Sequence, residues 1–254
     1  MRYLVLISFA AALILPALVQ AGSTANPVGT VGKENFGFTF EYEMQKKNID
    51  NDPTTSQRGL GKVIWGVTDR VDLYAKLGAS NLKVPVVGAQ EFEGKRAMTW
   101  GGGGRVSIYP IECPKMGKIG TYGDVQIVSF QTKGVVFRNF TEGYTERFED
   151  TYKWNELQLS IIVAWERSYF MPYIGFALTN IFGDVRTDVF RGSGGAEEFI
   201  QHERHEFRED AVPELVLGMD IPLSGSARVA GEIRYSEEED ISFTIGASEL
   251  WHVK

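Results

Sequence analysis

The chain has one cysteine, Cys113, in 254 residues. A single thiol excludes a disulfide framework and any multi-cysteine metal or iron–sulfur site. Histidine is almost as scarce, with only His202, His205 and His252, which leaves little material for histidine-based catalysis. An excess of positive charge is also missing. The formal net charge is −7, against a general nucleic-acid binder, which needs a basic face to meet phosphates. After the first twenty residues no apolar run is long enough for a membrane helix. What is present is 43% hydrophobic residues, 12% aromatics and 28 glycines. That content excludes a disordered chain and points to strands and tight turns rather than a helical bundle.

The opening residues read as an address. Met1-Arg2-Tyr3 supplies a positive charge, Leu4–Val19 carries none, and Val19-Gln20-Ala21 offers small residues before Gly22. This is the plan of a cleaved secretory signal peptide, predicted over 1–21, with one domain over 22–254. The uncharged run falls short of the roughly 20 residues that span a bilayer as a helix.

Beyond it the period is two. Phe36, Phe38, Phe40, Tyr42 and Met44 alternate with Gly37, Thr39, Glu41, Glu43 and Gln45. The same alternation runs through Val71–Ala79, Glu156–Trp165 and Ile241–Ser248, so each apolar set lies on one face of a strand. About ten strands are predicted, near 34–45, 56–68, 71–83, 97–109, 121–136, 152–165, 169–182, 211–221, 227–236 and 240–251. Short turns occur at Thr68-Asp69-Arg70, Glu166-Arg167-Ser168 and Leu223-Ser224-Gly225-Ser226. Long polar loops are predicted at 46–55, 84–96, 137–151 and 183–210, with a medium connection at 110–120. Short turns on one rim and long loops on the other describe a closed, antiparallel, up-and-down transmembrane β-barrel. Closure is required because an open edge would leave backbone groups unpaired in hydrocarbon. Ten strands are expected, with eight as the second count. Tyr42, Trp65, Trp100, Tyr109, Trp154, Trp165, Tyr169, Phe170, Tyr235 and Trp251 fall at segment ends, where interfacial girdles lie.

The hairpin Gly66-Val67-Thr68-Asp69-Arg70-Val71-Asp72-Leu73-Tyr74 looks like the tight periplasmic turn of Gram-negative outer-membrane barrels. With the signal peptide and a final strand ending in Leu250-Trp251, the chain resembles the outer-membrane β-barrel superfamily that includes the OmpA and OmpX types. That resemblance implies the bacterial outer membrane as the compartment. It implies outer-membrane lipid as the surroundings and the barrel assembly machinery as a partner that reads a terminal aromatic, here Trp251. Glu249 stands where members carry an apolar residue.

The opposite face carries Glu41, Glu43, Asp72, Lys76, Arg105, Glu156, Arg228, Glu232 and Arg234. Facing lipid, a midplane Arg or Lys costs roughly 2–4 kcal/mol; facing inward, such residues can pair. A small barrel has room only for its own side chains, so these charges are expected to plug the lumen. A narrow porin-like channel for small solutes is the alternative, and a soluble periplasmic lipocalin-like binder is another. Gly101-Gly102-Gly103-Gly104 removes bulk from the wall, for bending or for space. His202-Glu203-Arg204-His205 lacks the four-residue spacing of a zinc-protease helix. The segment 196–210 is expected to form a short helix or ordered turn in the longest outer loop, with His202 and His205 as surface contacts. No catalytic, cofactor-binding or metal residue is assigned, and an outer-membrane enzyme is the weakest reading. The loop 183–210 is the expected place of contact with an extracellular ligand, because binding concentrates on loops held by a rigid scaffold.

Overall fold

The computed structural model describes residues 30–49, 52–85, 91–113, 117–139, 145–167, 169–193, 196–223, 225–237 and 240–251. The predicted signal peptide and His252 lie outside them. Eleven strands are described: β1 (Phe36–Ile49), β2 (Asp52–Thr68), β3 (Val71–Val84), β4 (Phe92–Glu93), β5 (Ala97–Cys113), β6 (Gly117–Asn139), β7 (Thr145–Glu166), β8 (Met171–Ser193), β9 (Ala196–Pro222), β10 (Ala227–Ser236) and β11 (Ile241–Trp251). All except β4 form a ring of antiparallel neighbours in chain order. It closes where β1 lies against β11, from Phe36 opposite Trp251 to Lys46 opposite Ile241. The ring therefore has ten strands, not the eight of the smaller alternative. β4 is a two-residue addition on the end of β3.

Both ends of the described chain lie at one rim, together with the turns after β2, β5, β7 and β9. The first of these turns is held by the Arg70 N–H donating to Thr68 Oγ1 at 3.1 Å. The medium connection expected at 110–120 is a hairpin, with Cys113 opposite Gly117.

At the other rim the structure corrects the sequence-based map. The predicted long loops at 46–55, 137–151 and 183–210 are mostly strand. β1 and β2 pair out to Ile49 and Asp52, β6 and β7 to Asn139 and Thr145, and β8 and β9 to Ser193 and Ala196. The segment 196–210 is the first half of β9, not a helix. The reason is physical: beyond the membrane the outer face of a hairpin meets water, so the outward file turns polar and the lipid-type alternation ends. β6 to β9 run 23, 22, 23 and 27 residues, against 10 and 11 for β10 and β11. The long quartet rises from one side of the ring as a tower.

The outward files of the ring are apolar. Phe38 and Phe40 on β1, Leu73 and Leu77 on β3, and Leu157, Leu159, Ile161 and Val163 on β7 are all exposed. On a closed barrel, such a belt is the lipid-facing surface of a membrane-spanning protein. Trp65, Phe36 and Trp251 are aligned across three strands at the lower rim. Trp165, Tyr169 and Phe170 are exposed at that rim too, while Tyr42, Trp100 and Tyr235 mark the upper one. Trp154, expected in a girdle, instead points inward and is 1% exposed. It shares the inward file of Glu156 and Gln158, whose alternation continues upward past the belt. Glu249 is exposed on the outer face, opposite Phe38 and one step above Trp251, close to the lower rim.

Candidate functional site: the barrel interior and the tower

The interior is built from the inward-pointing alternate residues of ten strands. At the lower mouth, Asp72, Arg105 and Asp124 are neighbours across β3, β5 and β6. Arg105 Nε donates to Asp124 at 3.2 Å, and the Tyr74 hydroxyl donates to the same carboxylate at 2.7 Å. The segment 30–35 folds across this mouth. Val31 N–H donates to Asp72 at 3.0 Å and its side chain packs on Ile64 and Tyr74. Gly66 permits that approach, because a Cβ there would sit 1.8 Å from the Gly32 carbonyl oxygen. Arg228 faces Asp220 at 3.4 Å nearby.

One residue of the four-glycine run is explained at this level. Gly103 lies opposite Tyr74, and a Cβ on it would come 2.5 Å from the tyrosine oxygen. The space left by the glycine is filled by a ring lying flat on the wall. Gly218 does the same for Tyr173, where the added carbon would be 2.1 Å from the ring. Tyr173 then reaches inward to donate to Glu232 at 3.0 Å.

Above this level a polar network crosses the bore. Lys62 and Lys76 both pair with Glu41, the latter at 2.9 Å. Lys76 donates to Gln126 at 2.8 Å, Gln126 to Gln158, and Gln158 to Thr179 at 3.0 Å. Thr179 donates to Glu214 at 3.2 Å, and Glu214 pairs with Lys47, which also holds Asp240 at 3.2 Å. Arg234 lies 2.8 Å from Glu232 and 3.6 Å from Glu214. Arg58 joins the network from β2, 2.8 Å from Glu156, 3.3 Å from Glu43 and hydrogen-bonded to Gln45. Each ring strand supplies at least one inward side chain that is 3% exposed or less: Glu41, Arg58, Lys76, Thr99, Gln126, Glu156, Thr179, Glu214, Arg234 and Thr244 among them. These groups are almost wholly buried.

Over the network sits an apolar cluster of Leu82, Val84, Phe92, Phe130, Val136, Trp154, Ile181 and Phe207. Phe130 stacks on Trp154 at 5.8 Å between centroids, and the Arg58 guanidinium lies 5.4 Å from the Phe130 ring. The interior therefore changes from ionic to aromatic at the level where the belt outside ends.

All nine charged residues read from the sequence as inward point into the bore. The sequence reasoning missed Lys47, Arg58, Lys62, Asp124, Glu214, Asp220 and Asp240, which complete the ion pairs. Lys47 fell in a segment read as a loop, and Asp240 is the first residue of the predicted strand 240–251, before its apolar alternation begins at Ile241. Arg58 and Lys62 were masked because Leu60 and Ile64 share their inward file while Gly59 and Gly61 face outward. Glu214 and Asp220 were legible: they alternate with exposed Leu217, Met219 and Ile221.

The tower carries its own pairs. Arg147 holds Glu197 at 2.8 Å and stands over Phe190, which meets Phe199 edge-on at 5.7 Å. Arg191 holds Glu146 at 2.7 Å. Burial pushes the Asp150 carboxyl above its usual range, opposed by the Thr187 hydroxyl that donates to it at 2.6 Å. His202 Nδ1 is 2.6 Å from Asp188, both well exposed. His202 and His205 are three apart on a strand, so they face opposite sides and cannot share one ion. Among the described residues no group of three His, Cys, Asp or Glu is placed to hold a metal.

No protein-family model matches the chain, and no curated protein matches it by sequence. Solved structures do align with it. The translocator domain of the autotransporter NalP from Neisseria meningitidis aligns with a TM-score of 0.50 at 8% identity, covering 88% of this chain and 89% of that one. An outer-membrane channel from Pseudomonas putida F1 aligns with a TM-score of 0.46 at 6% identity, covering 91% and 100%. The chain has the fold of the outer-membrane β-barrels. The apolar belt marks the wall of that fold that faces lipid.

Proposed function

We propose that this protein is a non-conducting outer-membrane barrel whose work is structural and surface-directed, the ring serving as a rigid base for the tower. The observation that carries the reading is the filled bore: inward side chains from all ten strands are closed to water at the level of the Glu41–Arg58–Arg234 network. Such a network is costly to disturb, since removing one partner leaves a desolvated charge unpaired. A porin-like channel is the second reading, favoured by the density of charge along the bore. It requires that the network part to admit solute. An enzymatic reading has less support, because the carboxylate-backed His202 stands on an exposed strand face. Kinship within the small-barrel superfamily is proposed no more finely than that, since OmpA/OmpX-type barrels are built on eight strands. Insertion by the barrel assembly machinery through β11 and Trp251 belongs to the same proposal.

The test is current across a planar lipid bilayer containing the purified, heat-modifiable protein. The closed reading expects no discrete conductance steps. Regular steps that change size on Arg58→Ala or Arg234→Ala would establish the channel instead.

A further inference from the structure

One surface of the barrel is neither lipid belt nor tower. On the outer wall, where β5 begins at Ala97, β6 loses its strand neighbour above Phe130. The segment leading into β5 takes that place, with Lys95 N–H donating to the Lys133 carbonyl at 2.8 Å. The step leaves a cavity of about 590 Å³ whose lining includes Lys95, Arg96, Lys133 and Lys153 above exposed Met98 and Trp100.

Charge is distributed unusually here. The chain as a whole carries −7, and the tower arginines Arg147, Arg186, Arg191 and Arg204 are each bound to a carboxylate. None of the four groove cations has a carboxylate within ion-pair distance among the described residues. Their height is fixed by the strands that carry them. Lys153 is four residues above Leu157, the top of the β7 apolar file, and Trp100 lies opposite Leu77 and Ser129 at the upper girdle. Exposed cations over an apolar floor at headgroup level match an amphiphile with anionic groups above and acyl chains below.

We propose that this groove binds the phosphates of an acylated sugar-phosphate lipid of the outer leaflet. Lys95, Arg96, Lys133 and Lys153 take the phosphates, and the chains run down past Met98 and Trp100. A solvated patch would have no need of the apolar floor, and an ordinary belt would have no need of the cations.

The experiment is native mass spectrometry of the purified full-length protein in detergent, titrated with bisphosphorylated lipid A, its dephosphorylated form, or inorganic phosphate. The wild-type protein is expected to retain the bisphosphorylated lipid. Lys95→Glu with Lys133→Glu and Lys153→Glu is expected to weaken retention by roughly tenfold or more, with heat-dependent gel mobility unchanged. If the triple variant does not fold, Lys133→Gln with Lys153→Gln gives the same reading through a smaller, salt-sensitive loss. Equal retention by variant and wild type overturns the site, as does equal binding of the dephosphorylated lipid. Competition by inorganic phosphate at the concentration of the lipid overturns the lipid as its occupant. None of these outcomes depends on whether the bore conducts.

Discussion

The ring and the tower are made from the same strands, yet alternation means different things in each. On β7 the outward file runs Trp165, Val163, Ile161, Leu159 and Leu157 through the ring, then Asn155, Lys153, Thr151, Glu149 and Arg147 in the tower. In the ring the period separates lipid from a polar interior, and every inward charge has to be answered by a partner. In the tower the outer face meets water and carries scattered ion pairs, while the inner face covers an apolar cluster with Val136, Tyr152, Trp154 and Phe207. A one-residue slip would exchange lipid and interior throughout the ring. Above it the same slip would expose the apolar cluster but carry no charge into hydrocarbon, and the tower's outer face is held only by scattered pairs.

The sharpest way to break this contrast is to remove a charge from each region. Arg58→Ala strands Glu43 and Glu156 in the bore and is expected to cost about 3–5 kcal/mol, read as the shift in urea unfolding of protein folded into lipid vesicles. Arg204→Ala, in the tower, is expected to change the same quantity by less than about 0.5 kcal/mol. If the two losses are alike, the ring is no more tightly organised than the tower.

A charge added to the outward file of β7 makes the second comparison. Leu159→Arg is expected to cost about 2–4 kcal/mol, and Thr151→Arg about 0–1 kcal/mol, because the penalty follows depth in the bilayer. Equal penalties would move the upper edge of the belt.

Packing inside the ring gives a smaller effect. Gly218→Ala drives a methyl into Tyr173 and is expected to cost about 1–3 kcal/mol, with loss of the Tyr173 to Glu232 hydrogen bond visible in ultraviolet resonance Raman spectra of tyrosine. The smallest expected effect lies near the lower rim. Glu249→Leu replaces an exposed carboxylate beside Phe38 and is expected to stabilise by up to about 1 kcal/mol in the same vesicle assay.

How much of this was legible follows from where lipid lies. The ten ring strands could be read because hydrocarbon forces apolar residues into one alternate file, as in Phe36–Tyr42 and Leu157–Trp165. The strands of the tower could not, because Arg186, Asp188, His202 and Arg204 read as polar whichever way they face. The inward charges on β1, β3, β7 and β10 were readable as the complement of that apolar file. Arg58 and Lys62 were not, since small glycines occupy the lipid side of β2 and Leu60 shares the inner side. Trp154 misled for a related reason: an aromatic at a strand end reads as a girdle residue, and only its parity with Glu156 puts it inside. The basic groove had no sequence signal at all. Lys95, Lys133 and Lys153 come from three separate segments, and register alone brings them together.

The division between ring and tower is tested most directly by cutting away the β8–β9 half of the tower. Excising Arg186–Arg204 and joining Val185 to His205 through an Asn-Gly turn preserves the last paired residues of β8 and β9. The measurement is the urea midpoint in lipid vesicles, with heat-dependent gel mobility alongside. The account predicts a shortened protein that still shifts on heating and unfolds within a few tenths of a kcal/mol of the full chain. Loss of the mobility shift, or a loss of several kcal/mol, would contradict it, showing that the tower holds the barrel together rather than standing on it.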